Sequence, residues 1–373
     1  MTLHNYPNLF SPSKLGSVQL KNRAIVAPMT RVSASPDGLA SNIMIEHYRK
    51  FAKGGWGLIF TEGTYTDEGP SQGYRNQPGI ANSKHIAEWS KVVKAVHSEN
   101  TPIFQQLIHA GGLIQENNYV TQAIAPSAVN QLGTMMPHYF GNGKFPVPHE
   151  MTRDEIKESA KGFADAAIRS VEAGFDGVEI HGANGYLLDQ FLTTFANIRT
   201  DEYGGTTNNR VRFHCEVLAA VLDAVGKKVP VGIRISQTKV NNFEYQWPGE
   251  EHDASIIFRA LKAIGPTYIH ISTHKGLEDV WDSGRNLADW AKEIWGGPTI
   301  ACGGLDDPAR AEILLAEEQT DFIAIGKGAL ADPDWPNKVS ANIVPISFNP
   351  NMIKPYATLQ NTIEWRKTSA ATN

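Results

Sequence analysis

The segment Glu179-Ile180-His181-Gly182-Ala183-Asn184-Gly185-Tyr186 places an imidazole, a carboxamide and a phenol within a few positions of one another. His and Asn side chains both donate hydrogen bonds to a carbonyl oxygen that gains negative charge, and a Tyr hydroxyl can deliver a proton from another direction. That combination suits the reduction of a polarised double bond. The residues alone leave a second reading open, in which His181 and Asn184 satisfy backbone groups and Tyr186 packs beneath a neighbouring segment.

What must position these groups is legible in the hydrophobic pattern. Short apolar runs recur at 24–29, 57–61, 102–107, 177–181, 231–235, 268–272, 299–302 and 322–325, each followed by a stretch of helical period. Eight such units predict a parallel sheet closed into a single (β/α)8 barrel, an α/β fold of the TIM type. Thr152 and Glu155 form a capping box before Ile156, Ala160, Phe163, Ala167, Ile168 and Val171, and Gly174 stops that helix. A doubly wound sheet is disfavoured, since no strand leads into Gly-x-Gly-x-x-Gly. Residues 9–21, with Gly16, predict a hairpin plugging the N-terminal mouth. Residues 108–150 are too long and too rich in Pro, Gly and Asn for a simple connection and predict a lid after the third strand. The barrel core is expected over 7–336 and a tail over 337–373 with a short helix near 359–366, all in one domain spanning 1–373.

In such barrels chemistry sits at the C-terminal ends of the strands. The segment from Gly182 to Tyr186 follows the fourth run there, and His181 ends that run. Cys302-Gly303-Gly304-Leu305 follows the seventh and Ile325-Gly326-Lys327-Gly328 the eighth. These two glycine loops have the character of a barrel phosphate site, where backbone N–H groups approach an anion closely. Gly326-Lys327-Gly328 is not a nucleotide P-loop, because position 321 is Asp and no Ser or Thr follows Lys327.

A formal net charge of −5, with no run of Lys or Arg, argues against nucleic acid as a partner. Cys215 and Cys302 are the two cysteines and have no metal-ligand spacing, which predicts a reducing compartment and no metal site. The N-terminus resembles no signal peptide and no apolar run is long enough to span a bilayer, so no membrane partner and a cytoplasmic location are expected.

The segment His181-Gly182-Ala183-Asn184-Gly185-Tyr186-Leu187-Leu188, with Gln190-Phe191-Leu192, Arg199-Thr200-Asp201-Glu202-Tyr203-Gly204-Gly205, Asn209-Arg210 and Arg212-Phe213, resembles the signature of the Old Yellow Enzyme family. Further likeness lies in Leu20-Lys21-Asn22-Arg23, Ala27-Pro28-Met29-Thr30, Thr61-Glu62-Gly63-Thr64, Gln106-Leu107-Ile108-His109-Ala110-Gly111, Ala125-Pro126-Ser127-Ala128 and Gly326-Lys327, covering about 7–336. The His/Asn pair, and Thr30 where another branch carries Cys, place the chain nearer the classical branch.

The resemblance implies an FMN-dependent ene-reductase using NAD(P)H as co-substrate and acting on α,β-unsaturated carbonyl or nitro compounds, with the FMN tightly but non-covalently bound. NAD(P)H would reduce the flavin and leave, and the reduced flavin would pass hydride to the β-carbon of the alkene. Tyr186 would protonate the α-carbon while His181 and Asn184 grip the carbonyl oxygen. Pro28, Met29, Thr30 and Gly63 would contact the isoalloxazine, Gln106 its pyrimidine edge, and Arg234 the N1 side, where reduced flavin gathers charge. Gly303, Gly304, Gly326 and Lys327 would hold the phosphate, and Tyr74 and Ile108 would wall the substrate pocket. Two departures stand out. Lys327 replaces the family's usual Arg, and Gly112 stands where an Arg commonly follows. Lys275 is read as a solvated loop lysine. Other readings are a family flavoenzyme with a different acceptor, of demethylase or dienoyl-reductase type, and a flavin-free phosphate-binding barrel lyase. A monomer and a homo-oligomer are both compatible with the sequence.

Overall fold

The structure is a computed structural model that describes residues 5–371, the last three by backbone alone. Eight parallel strands form the barrel: β1 (Ala24–Val26), β2 (Leu58–Phe60), β3 (Ile103–Ile108), β4 (Gly177–Asn184), β5 (Val231–Lys239), β6 (Tyr268–Ser272), β7 (Thr299–Cys302) and β8 (Phe322–Ile325). Each pairs with the next in sequence, and β8 returns to β1 through Ile323 opposite Ala24, so the sheet has no free edge. A short strand, Thr64–Tyr65, extends the pairing at the mouth beside Leu107 and Ile108.

Around the barrel run α1 (Asn42–Lys53), α2 (Ser83–His97), α3 (Arg153–Ala173), α4 (Arg212–Val225), α5 (Glu250–Ile264), α6 (Leu287–Trp295) and α7 (Pro308–Ala316). The capping box of α3 is present on both sides, and Gly174 closes the helix at φ 94°, a left-handed geometry that glycine adopts without steric cost. One residue of the predicted apolar stripe, Ile168, is 40% exposed, because it lies on the flank of the helix and faces solvent. The α8 helix (Lys327–Ala331) follows β8, and α9 (Trp335–Ser340) and α10 (Leu359–Ala371) end the described chain. The tail is thus more helical than predicted, with α10 passing beyond residue 366.

The inside of the barrel is layered. Phe60, Phe104, Tyr268, Ile300 and Phe322 fill its lower part, sealed below by Leu15 and Leu20 of the predicted hairpin, Ser13–Leu15 against Val18–Leu20. Above this apolar floor the inward positions turn polar: Gln106 pairs in register with Glu179, and His181 with Arg234 and then His270. The side-chain period of two carries this inner row from the floor to the mouth.

The last three strands match the predicted runs, whereas β1 and β2 are shorter and β3, β4 and β5 reach further toward the mouth. β3 runs through Ile108, so the long connection begins one residue later. It is pinned at its far end by Ile124–Ala125 pairing with His149–Glu150, and it sends Met135, Met136, Tyr139, Phe140 and Phe145 onto the mouth cluster. β4 continues to Asn184, so Asn184 lies in strand three residues past the predicted end at His181. The reason is β5, which bulges between Ile235 and Lys239 and so reaches Asn184 with Lys239.

Candidate active site

The end of β4 brings His181 and Tyr186 together at the C-terminal mouth, with Asn184 closing the strand between them in sequence. The rings of His181 and Tyr186 meet edge to face with centroids 4.9 Å apart. Ala183 N–H donates to His181 Nδ1 at 3.3 Å, which leaves the ring proton on Nε2. Burial, then the positive charge of Arg234 and the neighbouring His270, hold the His181 pKa well below the ordinary imidazole range. It is therefore a neutral hydrogen-bond donor at physiological pH. Asn184 sits at φ 60° and its N–H donates to Ser236 Oγ at 2.7 Å.

The Tyr186 hydroxyl lies 2.5 Å from that of Tyr74. Burial raises the Tyr186 pKa, while the Tyr74 hydrogen bond and Arg234 pull the other way, so the phenol keeps its proton at neutral pH. Ile108, Tyr74 and Tyr186 share one apolar cluster with Val32, Leu113 and Phe145. The two predicted wall residues thus stand beside the predicted proton donor.

Below them runs a buried polar chain. Gln106 Nε2 donates to Glu179 Oε1 at 2.7 Å, and Glu179 Oε2 lies 2.8 Å from His270 Nδ1. Burial lowers the His270 pKa, but the Glu179 carboxylate outweighs it and the net shift is upward. Arg234, 6% exposed, donates to Cys302 Sγ at 3.7 Å, and its buried Nε has no protein partner. A buried guanidinium N–H without an acceptor calls for one from a ligand. Glu179 and His270 were given no role in the sequence reading. Their signal was the alternation of polar residues at inward positions of β4 and β6.

Met29 lies against Gly326, whose added Cβ would sit 3.7 Å from Met29 Sδ, so the loops after β1 and β8 adjoin. Pro28, Met29 and Thr30 are all half-buried at the mouth. Gly63 packs on Ile108, and its carbonyl accepts from Gln77. Gly303 has φ 135° and an added Cβ would fall 2.3 Å from Thr273 O, whereas at Gly304 (φ 62°) the nearest atom would be 3.7 Å away. The first glycine is demanded by packing, and the second leaves open space before the loop. Lys327 is exposed and its Nζ stands 5.9 Å from the Phe348 ring centroid.

Gly112 donates its N–H to Gln190 Oε1, and a side chain there would meet Gln131 at 3.0 Å, so two glutamines occupy the surroundings of the missing Arg. Lys275 is exposed and paired with Glu278, away from any catalytic contact.

Next to the mouth, Glu62 is buried, accepting from Arg31 N–H at 2.8 Å with Tyr48 Oη at 3.5 Å from its other oxygen. Burial raises its pKa to about 7, against hydrogen bonds that lower it. A raised carboxyl pKa favours folding fully below its unfolded value near 4.5, and that advantage is lost as pH rises through 7. The loss is about 3 kcal/mol. Urea midpoints at pH 5 and pH 8 should therefore differ less in Glu62→Gln than in the unmodified chain. Equal pH dependence in both would rule Glu62 out as the group responsible.

Among the described residues no three His, Cys, Asp or Glu side chains gather as a metal site, and no helix is long and apolar enough to cross a membrane.

Residues 8–344 match the model of the NADH:flavin oxidoreductase / NADH oxidase family. The chain is 37% identical over 333 residues to a probable flavin mononucleotide-dependent alkene reductase of Leishmania infantum, covering 87% of this chain and 88% of that protein. It is 34% identical over 349 residues to an NADH oxidase of Thermoanaerobacter brockii, covering 90% of this chain but spanning only about half (51%) of that longer protein. Among solved structures, the old yellow enzyme from Trypanosoma cruzi superposes with a TM-score of 0.84 at 29% identity, covering 95% of this chain and 97% of that one. Morphinone reductase in complex with tetrahydroNAD gives 0.81 at 31% identity, covering 93% and 94%.

Proposed function

Because this chain belongs to the NADH:flavin oxidoreductase / NADH oxidase family, we propose that it reduces the activated C=C bond of α,β-unsaturated carbonyl or nitro compounds. Members of the family bind FMN non-covalently and draw on NAD(P)H, and the oxidoreductase class follows from membership. The choice of alkene as acceptor is our reading. It is carried by one observation: a neutral imidazole donor and a protonated phenol meet edge to face at the mouth, with a carboxamide on the same strand.

The mouth fits an FMN. Arg234 presents a buried Nε without a protein acceptor, and the open side of Gly304 leaves room for an anion beside Gly303, Gly326 and Lys327. Pro28, Met29, Thr30 and Gly63 would border the ring, and Arg234 would offset charge on its N1 side. Gln106 would read the pyrimidine edge, although its amide nitrogen is held by Glu179. Bound there, FMN would supply hydride chemistry, with NAD(P)H as the source of the hydride.

The protein's own part is polarisation and protonation. His181 Nε2–H and the Asn184 amide donate to the substrate oxygen and lower the cost of enolate-like charge. Tyr186 delivers its proton to the α-carbon, and Tyr74, whose hydroxyl hydrogen-bonds to that of Tyr186, stabilises the phenolate left behind. Tyr74, Ile108 and the lid aromatics exclude water, which strengthens each of these contacts.

Product analysis tests the acceptor. With FMN-loaded protein and NAD(P)H, 2-cyclohexenone should give cyclohexanone, and cyclohexanone itself should not be reduced. Formation of the allylic alcohol, or flavin-dependent NAD(P)H oxidation with no enone consumed, would refute the proposal.

A further inference from the structure

The donor segment carries an unusual backbone. Asn184 at φ 60° and Gly185 at φ 88° are consecutive left-handed residues immediately before Tyr186. Asn visits that region more readily than most residues, so the two successive left-handed residues cost little strain, and their contacts decide where they point. The surroundings here converge on one buried ion pair. Lys239 Nζ lies 2.6 Å from Asp189 Oδ1, and both side chains are fully buried. The second carboxylate oxygen, Asp189 Oδ2, accepts from Gly185 N–H at 2.7 Å. Lys239 is also the β5 residue in register with Asn184, and the next residue, Val240, donates its N–H to Asn184 O at 3.0 Å. Gln190 Nε2 takes the other face of the turn, donating to Gly185 O at 2.8 Å.

We infer that Lys239 and Asp189 are positioning residues that clamp the backbone of 184–186 and so aim Asn184 and Tyr186; their consequence for catalysis rests on the function proposed above. The energetics favour this role over a stabilising one. Burying two charges costs several kcal/mol per ion, and well-packed apolar replacements of such pairs are often as stable or more so. The pair therefore adds little to stability. What an apolar pair could not do is accept the Gly185 N–H or tie β5 to the turn.

The test follows from that difference. Lys239→Met alone leaves a buried carboxylate uncompensated and is prone to misfold, so the informative variant is Lys239→Met/Asp189→Leu, which removes both charges and the acceptor. Its melting temperature should stay within a few degrees of the unmodified protein. Hydrogen exchange of the flavin-free protein over 183–187 should quicken about tenfold or more, with β1–β8 unaffected. With FMN bound, reoxidation by 2-cyclohexenone should slow about 100-fold, the cost of roughly an ångström of misplacement, while reduction by NAD(P)H keeps its rate. Lys239→Met/Asp189→Asn, which restores an acceptor for Gly185 N–H, should recover much of the protection. Unchanged exchange over 183–187, or acceleration spread evenly through the barrel, would overturn the inference. Quickened local exchange in a chain whose unmodified form reduces no enone would support the clamp and reject the proposed function.

Discussion

Replacing Tyr186 by Phe should slow enone reduction about 100- to 10,000-fold while leaving reduction of the flavin by NAD(P)H nearly untouched. The asymmetry follows from where the hydroxyl acts. A proton is needed only when the α-carbon of the alkene gains charge, and no proton from Tyr186 is needed when NAD(P)H is oxidised. Phe keeps the ring that packs edge to face on His181 and within the apolar cluster of Tyr74 and Ile108, so the pocket should hold its shape. The substitution does strip Tyr74 of its hydroxyl partner. Tyr74→Phe removes the same hydrogen bond but keeps the donor, so it should slow the same half-reaction, and by less. Rapid-reaction absorbance of the two half-reactions separates the cases. Equal losses in both half-reactions of Tyr186→Phe would remove Tyr186 from its role.

His181→Ala and Asn184→Ala should each lower enone reduction about 100- to 1,000-fold, the usual cost of losing one donor to a developing oxyanion. The double variant should lose less than the product of the two, because donors sharing one oxygen act as a unit. His181 is neutral across the physiological range, its pKa being held down first by burial and then by Arg234. The rate profile of the unmodified enzyme between pH 6 and 8 should thus contain no step from this imidazole, and His181→Asn should not change the profile's shape. A step in that range that disappears with the substitution would mean that His181 acts as a charged acid.

How far the sequence discloses this architecture can be seen residue by residue. The eight short apolar runs recur regularly enough, each with a helix-period stretch after it, to announce a parallel barrel, even where inward positions turn polar as at Glu179 and His181. The capping box at Thr152 and the stop at Gly174 are local chemistry, and both are present as read. The ends of β4 were less visible. His181-Gly182-Ala183-Asn184 has neither β-branched residues nor alternation, and what makes it strand is the bulged β5 beside it. Long-range pairing of that kind leaves no local trace.

The same holds within the site. Residue types and a family likeness mark His181, Asn184 and Tyr186, and the fold sets the rings of His181 and Tyr186 edge to face. The carboxylate and imidazole beneath them, Glu179 and His270, come from strands 91 positions apart. Lys239 and Asp189 are 50 apart and fully buried. In the sequence each reads as an ordinary surface charge. Only the register of β4 against β5, and the short helix Leu187–Leu192 that carries Asp189, turns them into a pair.

The most direct test of the central claim is the visible spectrum of the FMN-loaded protein under anaerobic conditions, first with NADH or NADPH and then with 2-cyclohexenone. The account predicts a flavin band that bleaches with the nicotinamide and returns in full when the enone is added. A reduced flavin that stays bleached with the enone, or a protein that cannot retain FMN, would contradict it.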